Sequence, residues 1–193
     1  MKHTIITISR QFGSGGRAIG HQVAESLGIP CYDRSIIDKT AKISELSPDF
    51  IEKNEQHLSN SFIFDMAMTA NIYKAQSSVI KDCAGKGNCV IVGRCADKIL
   101  ENDYICLKVF LYAAFDKRCQ RAVSEYGKDA DIVQSLVKKV DRGRERFFRL
   151  FHEADWKDAS NYNLCLDTGL FGAPRTVEII RQAYQMMCEE GAE

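Results

Sequence analysis

The fold of this 193-residue chain is decided by its residues 4–20, Thr4-Ile5-Ile6-Thr7-Ile8-Ser9-Arg10-Gln11-Phe12-Gly13-Ser14-Gly15-Gly16-Arg17-Ala18-Ile19-Gly20. The first residues form an apolar, β-branched run typical of a buried strand, and the pattern that continues to Leu27 is typical of a helix. The glycines between them can take positive φ and turn backbone N–H groups toward one anion, beside a helix N-terminus that favours negative charge. The stretch therefore predicts a phosphate-binding loop; the alternative is a strand-to-helix turn without a ligand.

The loop departs from the usual phosphate-loop pattern, which ends in Gly-Lys-Ser/Thr and whose lysine reaches the outer phosphates. No lysine occurs between Lys2 and Lys39. Depending on the register, Gly16 or Arg17 stands at the lysine's position. Arg17 is therefore the candidate for the missing cation, with Arg10 as a second helper, and the alternative is that Arg17 is an exposed arginine of the first helical turn.

Length and composition narrow the class of protein. The chain, 1–193, suffices for a single domain. Its 26 basic and 26 acidic residues balance, so no global field favours nucleic acid or an anionic membrane. The eight cysteines are irregularly spaced, and no apolar run approaches the ~20 residues of a membrane span. We therefore expect a cytoplasmic protein with reduced thiols, no metal-binding cluster, and neither nucleic-acid nor membrane partners.

The remaining apolar runs alternate with helical patterns. A short strand is expected near Ile29–Tyr32, and the interval from Asp33 to Gly87 is expected to be helical with one break at Ser47-Pro48. This alternation predicts an α/β fold whose parallel five-stranded sheet carries helices on both faces. The other four predicted strands are Thr4–Ser9, Asn88–Val92, Cys106–Tyr112 and Tyr162–Asp167.

Two helical intervals invite functional interpretation. The one from His57 to Cys83 carries apolar positions that could pack within the monomer or across a homo-oligomer: Phe62, Ile63, Met66, Ile72, Val79 and Ile80. The other, about Phe115 to Arg149, has six cations within twelve positions, which favours an anion-facing lid over a solvated surface. Helical spacing puts Arg142, Arg146 and Arg149 on one face and turns Asp141, Arg144 and Phe148 elsewhere. The six cations are Lys138, Lys139, Arg142, Arg144, Arg146 and Arg149.

These features together resemble the nucleoside monophosphate kinases, and more closely the cytidylate kinase-like family. The loop from Ser9 to Gly20 is similar to that family's variant phosphate loop, which also lacks the lysine. Tyr32-Asp33-Arg34 resembles the start of the monophosphate-binding region, and Val90-Ile91-Val92-Gly93-Arg94-Cys95-Ala96-Asp97 resembles the strand that presents an arginine to the acceptor phosphate. Asp141-Arg142-Gly143-Arg144, with Trp156-Lys157-Asp158, Asn161-Tyr162 and Leu166-Asp167, resembles the lid and the following strand.

The resemblance implies a P-loop NTPase-type fold with a helical acceptor-binding region at about 34–87 and a lid at about 115–150. It also implies transfer of the γ-phosphoryl group of ATP to CMP or dCMP, with Mg²⁺ as the metal. Two alternatives stay open: a nucleotide-binding sensor without turnover, because the lysine is absent, and a kinase for another small acceptor.

Site residues follow from the same resemblance. Arg94 would grip the acceptor phosphate, or pair at the surface with Asp97. Asp33, Arg34 and Asp97 are the further acceptor-side candidates. Arg142 and Arg144, with Arg144 favoured, would close over the phosphates, whereas Phe147, Phe148 and Phe151 are assigned to packing and Trp156 to anchoring the chain after the lid. The loop amides would bind the donor phosphates, at Gly13, Ser14, Gly15, Gly16, Arg17 and Ala18.

Overall fold

A computed structural model describes residues 3–56 and 64–190 of the chain. Within these residues five strands form one sheet in the order β2-β3-β1-β4-β5, and every neighbouring pair is parallel. The prediction of a five-stranded parallel sheet is therefore confirmed. The strands are β1 (Thr4–Arg10), β2 (Cys31–Tyr32), β3 (Cys89–Val92), β4 (Ile105–Tyr112) and β5 (Leu164–Asp167).

The helices follow the predicted alternation but divide the helical intervals further. The interval after Phe115 is two helices, with Gly127 in the left-handed conformation between them (φ 61°). The helices of the described ranges are α1 (Gly16–Leu27), α2 (Arg34–Ser44), α3 (Pro48–Gln56), α4 (Phe64–Gly85), α5 (Ala96–Leu100), α6 (Phe115–Ser124), α7 (Val133–His152) and α8 (Thr168–Glu190), with a 3₁₀ turn at Ala159–Asn161. The non-helical backbone of Gly172 kinks α8.

Helices cover both faces of the sheet because alternate residues of each strand point to opposite sides. Ile6 and Ile8 of β1 join a core cluster with Val23 of α1 and Ile180 of α8. Ile5, the neighbour of Ile6, joins a second cluster with residues of α2, α4 and α5. Both clusters are almost fully shielded from solvent, so the sheet is the buried middle layer of the domain.

The long helix α4 shows where some of the apolar residues pack that were expected either inside the monomer or across a homo-oligomer. Ile72, Val79 and Ile80 are buried inside the monomer, where they pack against the domain's own core. The first positions predicted for this interval, including Phe62 and Ile63, lie outside the described residues. No helix of the described part is both long and apolar enough to cross a membrane.

Candidate active site

The glycine loop joins the end of β1 to the start of α1, as the sequence predicts. Gly13 and Gly15 both have φ of 80°, and Gly15 is the residue that caps α1. The Ser14 hydroxyl donates a hydrogen bond of 2.9 Å to the Gln11 carbonyl oxygen, and the Thr168 hydroxyl donates one of 2.7 Å to the Ser14 carbonyl oxygen. The loop is thus held from its own strand and from the end of β5.

Two buried charges tie this loop to α6 and α7. Arg118 Nη1 lies 2.6 Å from Asp141 Oδ2, and Asp141 Oδ1 accepts a hydrogen bond of 2.7 Å from the Phe12 backbone N–H. Arg118 Nη1 also donates to the Phe12 carbonyl oxygen at 2.9 Å, and Arg121 Nη1 donates to the Gly13 carbonyl oxygen at 2.9 Å. Breaking a buried pair leaves an uncompensated charge, so this arrangement fixes the loop strongly.

Gly13 leads to a stability prediction. A Cβ at this position would lie 2.5 Å from the Arg118 carbonyl oxygen, in addition to the strain of a positive φ. We expect Gly13→Ala to lower the free energy of unfolding by about 2 kcal/mol or more, measured by urea denaturation. Gly28→Ala is the matched control, because Gly28 has φ of 65° but open space around its Cβ. Equal losses in the two variants would contradict the proposed clash.

A cavity of about 840 Å³ opens at the carboxyl ends of the strands, where ligands of parallel α/β sheets bind. The glycine loop forms one wall. Asp33 and Arg34, which follow β2, and Arg94, which follows β3, also line it. Part of another wall is aromatic, from Phe147, Phe148 and Trp156.

Three half-buried arginines from separate elements converge on this cavity: Arg10 at the end of β1, Arg94 after β3 and Arg144 on α7. Arg144 Nη1 donates a hydrogen bond of 2.9 Å to the Arg10 carbonyl oxygen. Burial, and next the charge of Arg10, lower the pKa of Arg94 to about 10, which leaves it protonated at neutral pH. The same two causes lower the pKa of Arg144. An anion bound among these guanidinium groups would relieve their mutual repulsion.

The backbone that delivers Arg94 is unusual. Gly93, Arg94 and Cys95 follow β3 with φ of 77°, 62° and 52°, so two residues with side chains adopt the left-handed conformation. Such a conformation costs of order 1 kcal/mol for each of them and concentrates at functional sites. Arg94 therefore lies at the carboxyl edge of the sheet, as the sequence predicts, but on a strained turn.

Arg17 and Asp33 form a bridge across one side of the cavity. Arg17 Nε lies 2.7 Å from Asp33 Oδ2, and the Arg17 side chain is 64% exposed, whereas that of Asp33 is 11% exposed. Arg17 thus combines features of both interpretations offered by the sequence, since it lines the cavity but is an exposed residue with a carboxylate partner.

Two predicted site residues do not line the cavity. Arg142 is exposed on α7, and Asp97 is buried in α5 with 1% of its surface accessible. Of the six cations near the end of the second helical interval, Arg144 lines the cavity and the other five are exposed, so the expectation of an anion-facing cluster is corrected to one residue. The reason is the helical period, which turns Arg142, Arg146 and Arg149 away from Arg144.

The comparisons with known proteins agree with this geometry. Residues 5–170 match the model of the cytidylate kinase-like family. The chain belongs to that family. It is therefore a kinase of the cytidylate kinase-like kind.

Relatives of this family member cover nearly its whole length. It is 25% identical over 183 residues to a cytidylate kinase of Archaeoglobus fulgidus, which covers 94% of each chain. It is 26% identical to a cytidylate kinase of Methanobrevibacter smithii, covering 91% of this chain and 95% of the relative.

Solved structures support the same fold. An uncharacterized protein from Eubacterium ventriosum matches with a TM-score of 0.74 and 26% identity, covering 94% of this chain and 98% of the other. A gluconokinase from Sinorhizobium meliloti, at 16% identity, matches with a TM-score of 0.62 over 97% and 94% of the two chains. The expected P-loop kinase fold is thus confirmed.

Sequence reasoning missed several contacts in this kinase. Arg118 and Arg121, which hold the glycine loop, received no role, although their spacing of three on a helix places them on one face. Asp141 served only as a spacing marker for Arg144, whereas it pairs with Arg118. Phe147 and Phe148 pack in the core as expected, but they also line the cavity together with Trp156.

Asp97 gives a pH prediction. Neither of its carboxylate oxygens accepts a hydrogen bond from a side chain of the described residues, and burial raises its pKa to about 6. The folded state therefore binds a proton more tightly than the unfolded state, whose aspartate titrates near ~3.9. This contribution to stability is present below that lower pKa and is lost as pH rises through about 6.

We expect the Tm of the wild type, relative to that of Asp97→Asn, to fall by several degrees as pH is raised from about 4 to about 7.5. The comparison isolates Asp97, because the pKa of His152, lowered to about 4 by burial, affects both proteins alike. A difference in Tm between the two proteins that stays constant across this pH range would show that Asp97 does not titrate as inferred.

Proposed function

We propose that the protein transfers the γ-phosphoryl group of ATP to a nucleoside monophosphate, and that the acceptor is CMP or dCMP. The observation that carries this proposal is the convergence of Arg10, Arg94 and Arg144 on one cavity beside a glycine loop. Phosphoryl transfer asks a protein to hold two anionic substrates in line, to neutralise charge on the moving group and to exclude water. The relatives named cytidylate kinase support the choice of base.

The donor would bind at the glycine loop. Backbone amides from Gly13 to Ala18 lie at the N-terminus of α1, where the helix dipole favours phosphate. Arg144 lies on the neighbouring helix α7, and its guanidinium also stacks over the Phe12 ring at 5.8 Å. From there it would stabilise charge that develops on the transferred phosphoryl group.

The acceptor would bind at the opposite side, against the ends of β2 and β3. Arg94 would hold the acceptor phosphate with two parallel hydrogen bonds, which a guanidinium makes more readily than an ammonium. Asp33, oriented by Arg17, and the exposed Arg34 line the same side and would contact the rest of the acceptor. The aromatic wall would exclude water from the reacting groups.

Magnesium fits this site as a partner of the phosphates. Within residues 3–56 and 64–190, no group of three or more metal-ligating side chains comes together. Mg²⁺ usually keeps several waters and binds one or two carboxylates plus substrate phosphates, so a protein cage is not required. Asp33 is a cavity carboxylate that is linked to the start of α1 through its bond to Arg17. When bound, the ion would neutralise charge on the donor phosphates.

A sensor that binds nucleotide without turnover is the second candidate, favoured by the absence of a lysine from the glycine loop. A coupled assay of ADP release with ATP and Mg²⁺ distinguishes the two, offering CMP, dCMP, UMP, AMP and GMP separately and ATP alone as a blank. We expect turnover above the blank with CMP or dCMP. ATP binding without turnover on any of the five acceptors would contradict the proposal and favour the sensor.

A further inference from the structure

We infer that Arg10 is the cation that takes the place of the missing phosphate-loop lysine, and that Gly16 lacks a side chain to make room for it. The inference rests on the proposed function in one respect, namely that the ligand of the loop is a nucleoside triphosphate. It assigns to a strand residue a task that the phosphate-loop motif gives to the first turn of the helix.

The first observation is the space beside Gly16. A Cβ added at Gly16 would lie 2.9 Å from both Cβ and Cγ of Arg10, closer than side chains pack. Gly16 is an ordinary helical residue of α1, in contrast to Gly13 and Gly15, which have positive φ. Its backbone therefore does not require glycine. Glycine is required here by the Arg10 stem, because that stem fills the volume that a lysine side chain at position 16 would enter.

The second observation is the surface under the Arg10 head group. A Cβ at Gly93 would overlap Nη1 of Arg10, so the guanidinium rests against the bare backbone of the turn after β3. Arg10 thus runs in a groove between two glycines that are far apart in sequence. One of these, Gly93, directly precedes Arg94, which lines the cavity.

The third observation is the charge around Arg10. Among the described residues no carboxylate forms an ion pair with it, and it lines the cavity together with Gly13 and Gly15. Its acidic neighbours are already engaged, since Asp33 pairs with Arg17 and Asp141 pairs with Arg118. A half-buried guanidinium without an ion-pair partner favours the binding of an anion. The glycine loop beside it also favours phosphate, because its backbone amides lie at a helix N-terminus.

Arg17, the other cation that the sequence offers, has a different setting. Its guanidinium is bound to Asp33 and its side chain is mostly exposed. Arg10 therefore lines the cavity between the glycine loop and the turn after β3, whereas Arg17 is held by Asp33 at the end of β2. Arg10 would stay protonated throughout and would act by charge and hydrogen bonding alone, without forming a covalent bond.

The test exchanges the cation between the two positions. Variants Arg10→Ala, Arg10→Gly, Gly16→Lys and the double variant Arg10→Gly/Gly16→Lys are compared with the wild type. We expect Arg10→Ala to weaken ATP binding about tenfold or more and to lower kcat about 100-fold. Gly16→Lys alone is expected to be impaired as well, because the new side chain meets the Arg10 stem. The double variant should regain about tenfold over Arg10→Gly, since glycine at position 10 removes both the Cβ and the Cγ that a side chain at position 16 would meet.

ATP affinity is measured by calorimetry without an acceptor, so the result does not depend on which monophosphate is used. If the wild type turns over no acceptor, the proposed function fails while the binding comparison still tests Arg10. Arg10→Met, which keeps an unbranched apolar stem and removes the charge, serves where Arg10→Ala does not fold, as judged by circular dichroism, and should bind ATP more weakly than the wild type. Wild-type affinity in Arg10→Ala or Arg10→Met, or a folded double variant no better than Arg10→Gly, would overturn the inference.

Discussion

Replacing Arg94 with alanine is expected to lower kcat with CMP by about 10²- to 10³-fold, while the Tm stays at or near that of the wild type. Activity falls because the acceptor phosphate loses its bidentate partner at the reacting end. Stability changes little because burial and the nearby Arg10 disfavour the charge of Arg94 whereas Asp33 and Glu52 favour it, so the effects of removing the charge largely offset each other. The measurements are steady-state kinetics and thermal melting on the same preparations.

Two comparisons sharpen this prediction. Arg175→Ala removes an exposed arginine of α8 that does not line the cavity, and it should keep kcat within about twofold. Arg94→Gly should melt at a higher temperature than Arg94→Ala, because glycine adopts φ of 62° without strain. Unchanged kinetics in Arg94→Ala would remove this residue from the site.

Replacing Arg144 with alanine should lower kcat by about 10²-fold or more, with a smaller change in the KM for ATP. An arginine that stabilises developing charge acts mainly in the transition state, so its loss appears in kcat. Arg144→Lys should recover only part of the rate, because an ammonium lacks the planar fork that also reaches the Arg10 carbonyl oxygen.

The matched control is Arg149→Ala, five residues further along the same helix, where the exposed side chain pairs with Glu145. Its kinetics should match those of the wild type, since an exposed pair of this kind contributes little. A rise in the KM for ATP with unchanged kcat in Arg144→Ala would instead assign this residue to ground-state binding of the donor.

Much of the fold could be predicted because it depends on local patterns. β-branched runs with helical segments between them leave few topologies other than a parallel sheet, and the carboxyl ends of its strands then bring Asp33 and Arg94 to one edge. The helical period also predicts that Arg142 and Arg144 lie on different faces of α7, since successive residues are about 100° apart around a helix. The period separates Arg144 from Arg142, Arg146 and Arg149, but the sequence does not show which of the two faces lines the cavity.

The groove around Arg10 could not be predicted, because it depends on contacts between distant parts of the chain. Gly16 looks like one more loop glycine until Arg10 is found beside it, and Gly93 lies 83 positions from Arg10 in the sequence. The same holds for Asp141, whose partners Arg118 and Phe12 come from two other elements. Such contacts decide which polar groups are satisfied and which remain for a ligand.

The ion pair of Arg118 with Asp141 has a consequence for how the site responds to its donor. Asp141 holds the Phe12 amide and lies one helical turn from Arg144 on α7. Hydrogen bonds and this ion pair therefore connect the loop and Arg144 in one frame. We therefore expect the donor side to reorganise little when a nucleotide binds, because these hydrogen bonds already fix the positions of its parts relative to one another.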